Sequence, residues 1–238
     1  MTTIAFKRVL LKISGEALQG GKSDVAIDSG MVDKIATEIA QLHKLGLQIG
    51  LVIGAGNFFR GATLSALGID RVTADQMGMV STVVNALAIR DALEKEGVTT
   101  TIMSAIPMMG IVDHYDRRRA IHHLDEKRVV IFAGGTGNPL VTTDSAASLR
   151  SIEIQANILL KATNVDGIYS ENPQNNPNAK LYSHLSYQEA LQKELGVMDL
   201  TAFCQCRDNQ MPIRVFNINK EKALYNIILG KDEGTLVD

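Results

Sequence analysis

Residues 129–144 constrain this chain more than any other stretch. Val129-Val130-Ile131-Phe132-Ala133 is short, apolar and rich in β-branched residues, which predicts a buried strand. The run breaks at Gly134-Gly135, passes Gly137, and offers Thr142, Thr143 and Asp144. Ser145-Ala146-Ala147-Ser148-Leu149-Arg150 follows with good helix propensity. A strand, a glycine loop and a helix start in succession mark the place where open α/β sheets bind ligands, outside the carboxyl ends of their strands. Glycines let backbone approach a ligand closely, and free N–H groups at a helix start attract anions. Thr143 or Asp144 acting as a plain helix cap explains one residue of this stretch. It does not explain three glycines and two hydroxyls packed together.

The rest of the chain repeats the pattern. Arg8-Val9-Leu10-Leu11-Lys12-Ile13 reads as a first buried strand running into Ser14-Gly15. Lys12 interrupts its apolar run, and an unpaired buried ammonium is costly, so Lys12 must reach solvent or a negative partner. Asp28 or Ser29 caps a helix with Val32, Ile35, Ile39 and Leu42 on one face, ending at Gly46. Gln48-Ile49-Gly50-Leu51-Val52-Ile53 is the second strand, and strand–helix–strand implies a right-handed crossover in a parallel sheet. Its exit is a second glycine loop, Gly54-Ala55-Gly56-Asn57-Phe58-Phe59-Arg60-Gly61, where the Arg60 fork suits phosphate.

A long apolar helix is expected from Thr73 or Asp75 through Met77, Val80, Val83, Val84, Leu87 and Leu93 to Gly97, either central in the core or at a subunit interface. Asp75 at its first turn can cap the helix or take ligand hydroxyls. Further strands are expected from Thr99 to Met103, from Asn157 to Thr163 and over Ile213-Arg214-Val215-Phe216. Helices are expected from Tyr115 to Leu124, Tyr187 to Leu195, Asp199 to Arg207 and Lys220 to Leu229. Ile168 to Lys180 is a loop dense in turn formers, a length that often carries function.

Two motifs mislead. Gly15 to Ser23 nearly spells a P-loop, but Glu16 stands where glycine is required, and no helix opens after it. Residues 54–61 mimic a dinucleotide fingerprint, yet Phe59 takes the place of the third glycine. Composition narrows the classes further. A net charge of −2 gives no basic field to hold nucleic acid. No apolar run is long enough for a bilayer, and the first eight residues lack a signal-peptide layout. Cys204 and Cys206 are poorly spaced for a disulfide or a zinc site, so the default is a reduced, cytoplasmic protein. The strand exits would gather Lys12, Arg60, hydroxyls and N–H groups on one sheet edge. That set suits an anionic, phosphate-bearing ligand and phosphoryl transfer, and lacks the nucleophile–base pairs of hydrolysis.

Several motifs in order carry a resemblance. They are Leu11-Lys12-Ile13-Ser14-Gly15-Glu16-Ala17-Leu18, Asn57-Phe58-Phe59-Arg60-Gly61, Asp75-Gln76-Met77-Gly78-Met79 and Met103-Ser104-Ala105-Ile106-Pro107. Gly135-Thr136-Gly137-Asn138-Pro139, Thr142-Thr143-Asp144-Ser145-Ala146-Ala147 and Lys161-Ala162-Thr163-Asn164-Val165-Asp166-Gly167 follow, then Val197-Met198-Asp199-Leu200 and Pro212-Ile213-Arg214-Val215-Phe216-Asn217. Together they resemble the bacterial uridylate kinases (UMP kinases), a branch of the amino acid kinase superfamily, nearly end to end.

The resemblance implies transfer of the ATP γ-phosphate to UMP, with Mg²⁺ carried on the ATP phosphates, in pyrimidine nucleotide synthesis. It implies one domain over residues 1–238, a three-layer α/β/α sandwich around a mostly parallel sheet, assembled as a homohexamer. The N-terminal part would serve UMP and subunit contacts, and the C-terminal part ATP. Lys12, Ile13, Ser14, Gly15 and Gly56 would hold ATP phosphates, with Arg60 between the two substrates. Ala55, Asp75 and the loop of Thr136, Gly137, Asn138, Pro139, Leu140, Val141, Thr142 and Thr143 would take UMP. Thr163, Asn164, Tyr169 and Asn172 would enclose the adenine nucleoside. Lys12, Arg60 and Asp144 form the expected catalytic set, with Asp144 orienting Lys12 or a metal-bound water. The chain departs from the family pattern at Ala55 (usually Gly), at Asn172 (usually Asp), in residues 20–26 and at Asn157. A small-acid kinase on the same fold and a catalytically silent nucleotide-binding protein are the alternative readings.

Overall fold

The computed structural model describes residues 3–21, 24–59, 68–173, 175–196 and 198–238. Strand β1 (Arg8–Ile13) is buried along its whole length, which is why it reads as an apolar run with no alternation. A 3₁₀ turn over Gly15–Gln19 occupies the false P-loop. Helix α1 (Ser29–Lys44) follows, with the Asp28 carboxylate accepting the Met31 N–H at its start. Then come β2 (Gln48–Ile53), α2 (Arg71–Lys95), β3 (Thr100–Ser104), β4 (Asp113–His114), α3 (Arg117–Asp125) and β5 (Val129–Ala133). The second half runs α4 (Thr143–Glu153), β6 (Ile158–Thr163), β7 (His184–Leu185), α5 (Tyr187–Gln192), α6 (Leu200–Asp208), β8 (Ile213–Asn217), α7 (Ala223–Ile228) and β9 (Thr235–Val237).

The strands form one nine-stranded sheet in the order β4-β3-β5-β2-β1-β6-β8-β9-β7. All pairings are parallel except β8 with β9. Side chains alternate across the sheet, and each face packs against its own helices. Val9, Leu11, Ile13, Leu51 and Ile131 meet α1, α2 and α7 on one side. Leu10, Val52, Phe132, Leu159 and Val215 meet α3, α4, α5 and α6 on the other. The result is a three-layer α/β/α sandwich.

Several boundaries differ from the sequence reading. Helix α2 starts at Arg71, because Asp70 and neither Thr73 nor Asp75 accepts the first free N–H, that of Thr73 at 3.1 Å. Asp116 likewise caps α3 by accepting the Arg119 N–H, which leaves Tyr115 outside the helix. Helix α5 ends at Gln192, and Glu194 then takes a left-handed φ of 49°. Lys222, with φ 61°, delays α7 to Ala223. Strands β4, β7 and β9 were not anticipated, since two or three residues carry no period. On α2 the apolar positions split: Val83 is buried, whereas Val80 and Val84 are 44% and 43% exposed.

Candidate active site

Strands β1, β2, β5 and β6 are mutually parallel, so their exits share one edge. The Gly54 N–H donates to the Ile13 carbonyl at 2.9 Å, which draws the β2 exit against the β1 exit. Gly15 permits this approach. A Cβ there would lie 2.7 Å from both the Gly54 oxygen and the Gly56 nitrogen. Across the edge, Gly134, Gly135 and Gly137 all have positive φ, which only glycine adopts freely. The Thr82 hydroxyl accepts the Gly134 N–H and anchors this loop to α2. Leu140 is itself left-handed, with φ 64°. Its N–H donates to Asp75 at 2.9 Å, and Asp75 also receives Arg71 at 3.0 Å. Asp75 thus ties the first turn of α2 to the glycine loop.

The charged centre lies beneath these loops. Lys12 and Lys161 are register partners on β1 and β6, and both point to the α4 side of the sheet. Asp144, in the first turn of α4, meets both: Lys12 Nζ lies 2.8 Å from Oδ1, and Lys161 Nζ lies 2.5 Å from Oδ2. Burial pushes the Asp144 carboxyl up, but the two ammonium groups outweigh it and hold the group below the usual carboxylate range. Burial pulls Lys161 below the ordinary lysine range, with Asp144 opposing that shift. Lys12, Asp144 and Lys161 together carry one net positive charge at the strand exits, and the Asp199 carboxylate also acts on Lys161. The cap of α4 is Thr142, whose oxygen accepts the Ser145 N–H, and not Thr143 or Asp144. Thr142 and Ser145 both donate to Asp199, the cap of α6, so the start of α4 is braced from behind.

Two clefts flank this centre. The first, about 280 Å³, is lined by Ala55, Gly56, Asp75, Asn138, Leu140, Val141, Thr142 and Thr143 among others. The second, about 640 Å³, is lined by Lys161, Thr163, Tyr169, Asn172 and Lys193 among others. Most expected acceptor-side residues therefore converge, and Ala55 is not among the left-handed residues, so its methyl is unstrained. Gly56, expected at the ATP phosphates, also lines the first cleft. Thr136, Gly137 and Pro139 do not line it; the Thr136 hydroxyl accepts the Asn138 N–H at 3.3 Å and shapes the loop. Asn164 does not line the second cleft and accepts from Asn219. The Ile13 side chain is fully buried, so only its backbone can face a ligand. Asn157 lies elsewhere, accepting the N–H groups of Lys7 and Arg8. Arg60 lies outside the described residues.

Comparison with known proteins agrees with this architecture. A model described as the amino acid kinase family matches residues 7–217. The chain belongs to the amino acid kinase family. Within it, a uridylate kinase of Coxiella burnetii is 64% identical over 233 residues, 98% of this chain and 96% of that one. A uridylate kinase of Pseudomonas savastanoi is 60% identical, over 98% of this chain and 94% of the other. The crystal structure of a UMP kinase from Bacillus anthracis superposes with a TM-score of 0.93 at 39% identity, covering 98% of this chain and 96% of that one. A UMP kinase structure from Ureaplasma parvum gives 0.92 at 36%, over 98% of each chain. This member of the amino acid kinase family carries a residue that sequence reasoning missed, Lys161. Its signal was present: Ile158-Leu159-Leu160-Lys161-Ala162 is an apolar strand broken by one lysine, as β1 is by Lys12.

Proposed function

We propose that the protein transfers the γ-phosphate of ATP to UMP, giving ADP and UDP in pyrimidine nucleotide synthesis. The observation that carries the reading is Asp144 fixed between Lys12 and Lys161, at the floor between two clefts. Relatives named uridylate kinase, at 64% and 60% identity, support the choice of acceptor. The first cleft takes UMP, with Asn138 on the uracil edge and the loop of Ala55 and Gly56 at its phosphate. The second takes the adenine nucleoside, between Tyr169, Asn172 and Thr163.

The UMP phosphate oxygen is already ionised at neutral pH, so no general base is needed. That oxygen forms a bond to the γ-phosphorus as the bond to the β–γ bridging oxygen breaks. The obstacle is repulsion between two polyanions. Lys12 and Lys161 offset it, as do the N–H groups at the β1 exit and Arg60. Asp144 is a positioning residue that aims both ammonium groups. Its two oxygens are taken by lysines, a donor set that suits Mg²⁺ arriving on ATP phosphates better than a protein-held ion. Bound there, Mg²⁺ supplies charge neutralisation on the phosphates.

The one-domain organisation, the homohexamer and the cytoplasmic setting belong to the same proposal. The exposed Val80 and Val84 on α2 support a subunit contact, and no described helix is long and apolar enough to cross a membrane. The test is ADP release with ATP and Mg²⁺ over UMP, CMP, acetylglutamate, aspartate and carbamate, with Lys12→Ala as control. Turnover confined to UMP and lost in the variant is expected. Faster turnover on a small acid would overturn the acceptor assignment, and tight binding without turnover would favour a silent nucleotide-binding protein.

A further inference from the structure

One buried polar pair lies outside the charged centre. Asn85 sits mid-helix on α2, wholly buried, beside the core residues Val83, Ala86 and Ile89. An amide there is costly unless its hydrogen bonds are met. They are met by Asn57 of the β2 exit loop in a reciprocal pair. Asn85 Nδ2 donates to Asn57 Oδ1 at 2.8 Å, and Asn57 Nδ2 donates to Asn85 Oδ1 at 2.9 Å. Each amide has one donor left. Asn57 gives its to the Ala26 carbonyl at 2.8 Å, and Asn85 gives its to the Gly54 carbonyl at 2.7 Å. All four donor hydrogens are used, which fixes both amide orientations.

The bond to Gly54 has a consequence for the site. In a trans peptide the C=O and the following N–H point in opposite directions. Holding the Gly54 carbonyl towards α2 therefore turns the Ala55 N–H away from α2. The next peptide is fixed as well, because the Ala55 carbonyl accepts the N–H groups of Phe58 and Phe59 at 3.0 and 3.1 Å. That aims the Gly56 N–H out of the turn. Ala55 and Gly56 both line the first cleft. Apolar contacts alone could pack α2 against this loop, and they would not orient a peptide plane.

We infer that Asn85 is a positioning residue for the phosphate of the acceptor nucleotide, clamping the Gly54–Ala55 peptide so that the Ala55 and Gly56 N–H groups meet that phosphate. The inference rests on the acceptor assignment proposed above. It predicts that Asn85→Ala raises KM for UMP about tenfold or more, as expected when buried hydrogen-bonding groups lose a partner. KM for ATP stays within about threefold, and the inhibition constant measured for uridine, which lacks the phosphate, is unchanged.

The experiment compares wild type, Asn85→Ala, Asn85→Ser and Ile89→Ala, the last a core truncation on the same helix. Each is assayed for KM of UMP and ATP, for the uridine inhibition constant and for Tm. Ile89→Ala should lower Tm without raising KM for UMP. The inference is overturned if UMP and uridine weaken together, if KM for ATP rises in step, or if KM for UMP does not move. Should Asn85→Ala fail to fold, Asn85→Ser is read by the same criteria. A wild type inactive on UMP would instead sink the acceptor assignment itself, which separates the two failures.

Discussion

Asp144→Asn is the most informative perturbation of the charged centre. It keeps the shape of the side chain, removes the one negative charge between two ammonium groups, and turns an NH₂ donor towards one of them. Removing one partner of a buried ion pair costs about 3–5 kcal/mol, because the remaining charge is left uncompensated. Here two lysines share the carboxylate, and the side chains of Lys12, Asp144 and Lys161 are only 11%, 14% and 11% exposed, so the upper end applies. For a chain of this size each kcal/mol lowers Tm by roughly 2–4 °C, which gives a fall of about 10–20 °C. ATP should recover part of it, since its phosphates replace the missing anion. The pH signs follow from the two shifts. Asp144 titrates below its usual range, so its contribution is present at neutral pH and is lost as pH falls through that depressed value. Lys161 is lowered by burial and raised by Asp144, so losing the carboxylate moves its deprotonation further down. The alkaline limb of kcat against pH should therefore shift to lower pH in the variant. Calorimetry with and without ATP, and kcat from about pH 6 to pH 10, make the test. A variant melting within about 3 °C of wild type, or one whose alkaline limb keeps its position, would refute the charge argument.

Three other outcomes are expected. Gly15→Ala places a methyl 2.7 Å from the Gly54 oxygen and the Gly56 nitrogen, so it should lower stability by about 1–3 kcal/mol in denaturant titration and reduce kcat/KM for UMP. Asp75→Ala releases the Leu140 N–H, so KM for UMP should rise about tenfold while KM for ATP holds, as read by initial rates. Val80→Glu with Val84→Glu puts two charges on the exposed apolar side of α2, and if the proposed homohexamer uses this face, sedimentation should show a smaller species than wild type; an unchanged sedimentation coefficient would remove this face from the proposed subunit contact.

The central strands were legible because a parallel sheet buries both faces and writes itself as unbroken apolar runs. Every strand exit at the site followed from that, and so did Lys12. Lys161 carries the same mark, but what singles it out is its register opposite Lys12, a tertiary fact. Helix starts are ambiguous in a sequence where several cap-forming residues stand close together. Asp70, Thr73 and Asp75 can all cap, and Asp70, with a non-helical backbone, is the one that accepts the Thr73 N–H. Thr136, Gly137 and Pro139 were expected to meet the ligand because they share a motif with Asn138. The loop, with Gly134, Gly135 and Gly137 at positive φ, lines the first cleft with Gly135, Asn138 and Leu140. Asn85 gave no sequence signal, since one asparagine in a long helix reads as an exposed position.

On the proposed assignment, the sheet order explains how two substrates would meet at this edge. From β1 the chain moves to one side, laying down β2, β3 and β5. It then crosses back to the other side for β6 and β8. The switch point thus lies between β1 and β6: the connection leaving β1 runs to one side of the sheet, the one leaving β6 runs to the other, and a crevice opens between their exits. On the proposed assignment, acceptor residues come from the β2 and β5 exits and donor residues from the β6 side. The transferred phosphate passes over Lys12 and the β1 exit between them. Lys12 and Lys161 belong to neighbouring strands on the two sides of that divide, and Asp144 enters from α4 to bind both. Any shift of one half of the sheet against the other would separate the lysines. The carboxylate that orients them is therefore also a tie across the crevice, which is why Asp144→Asn is expected to lower stability and transfer rate together.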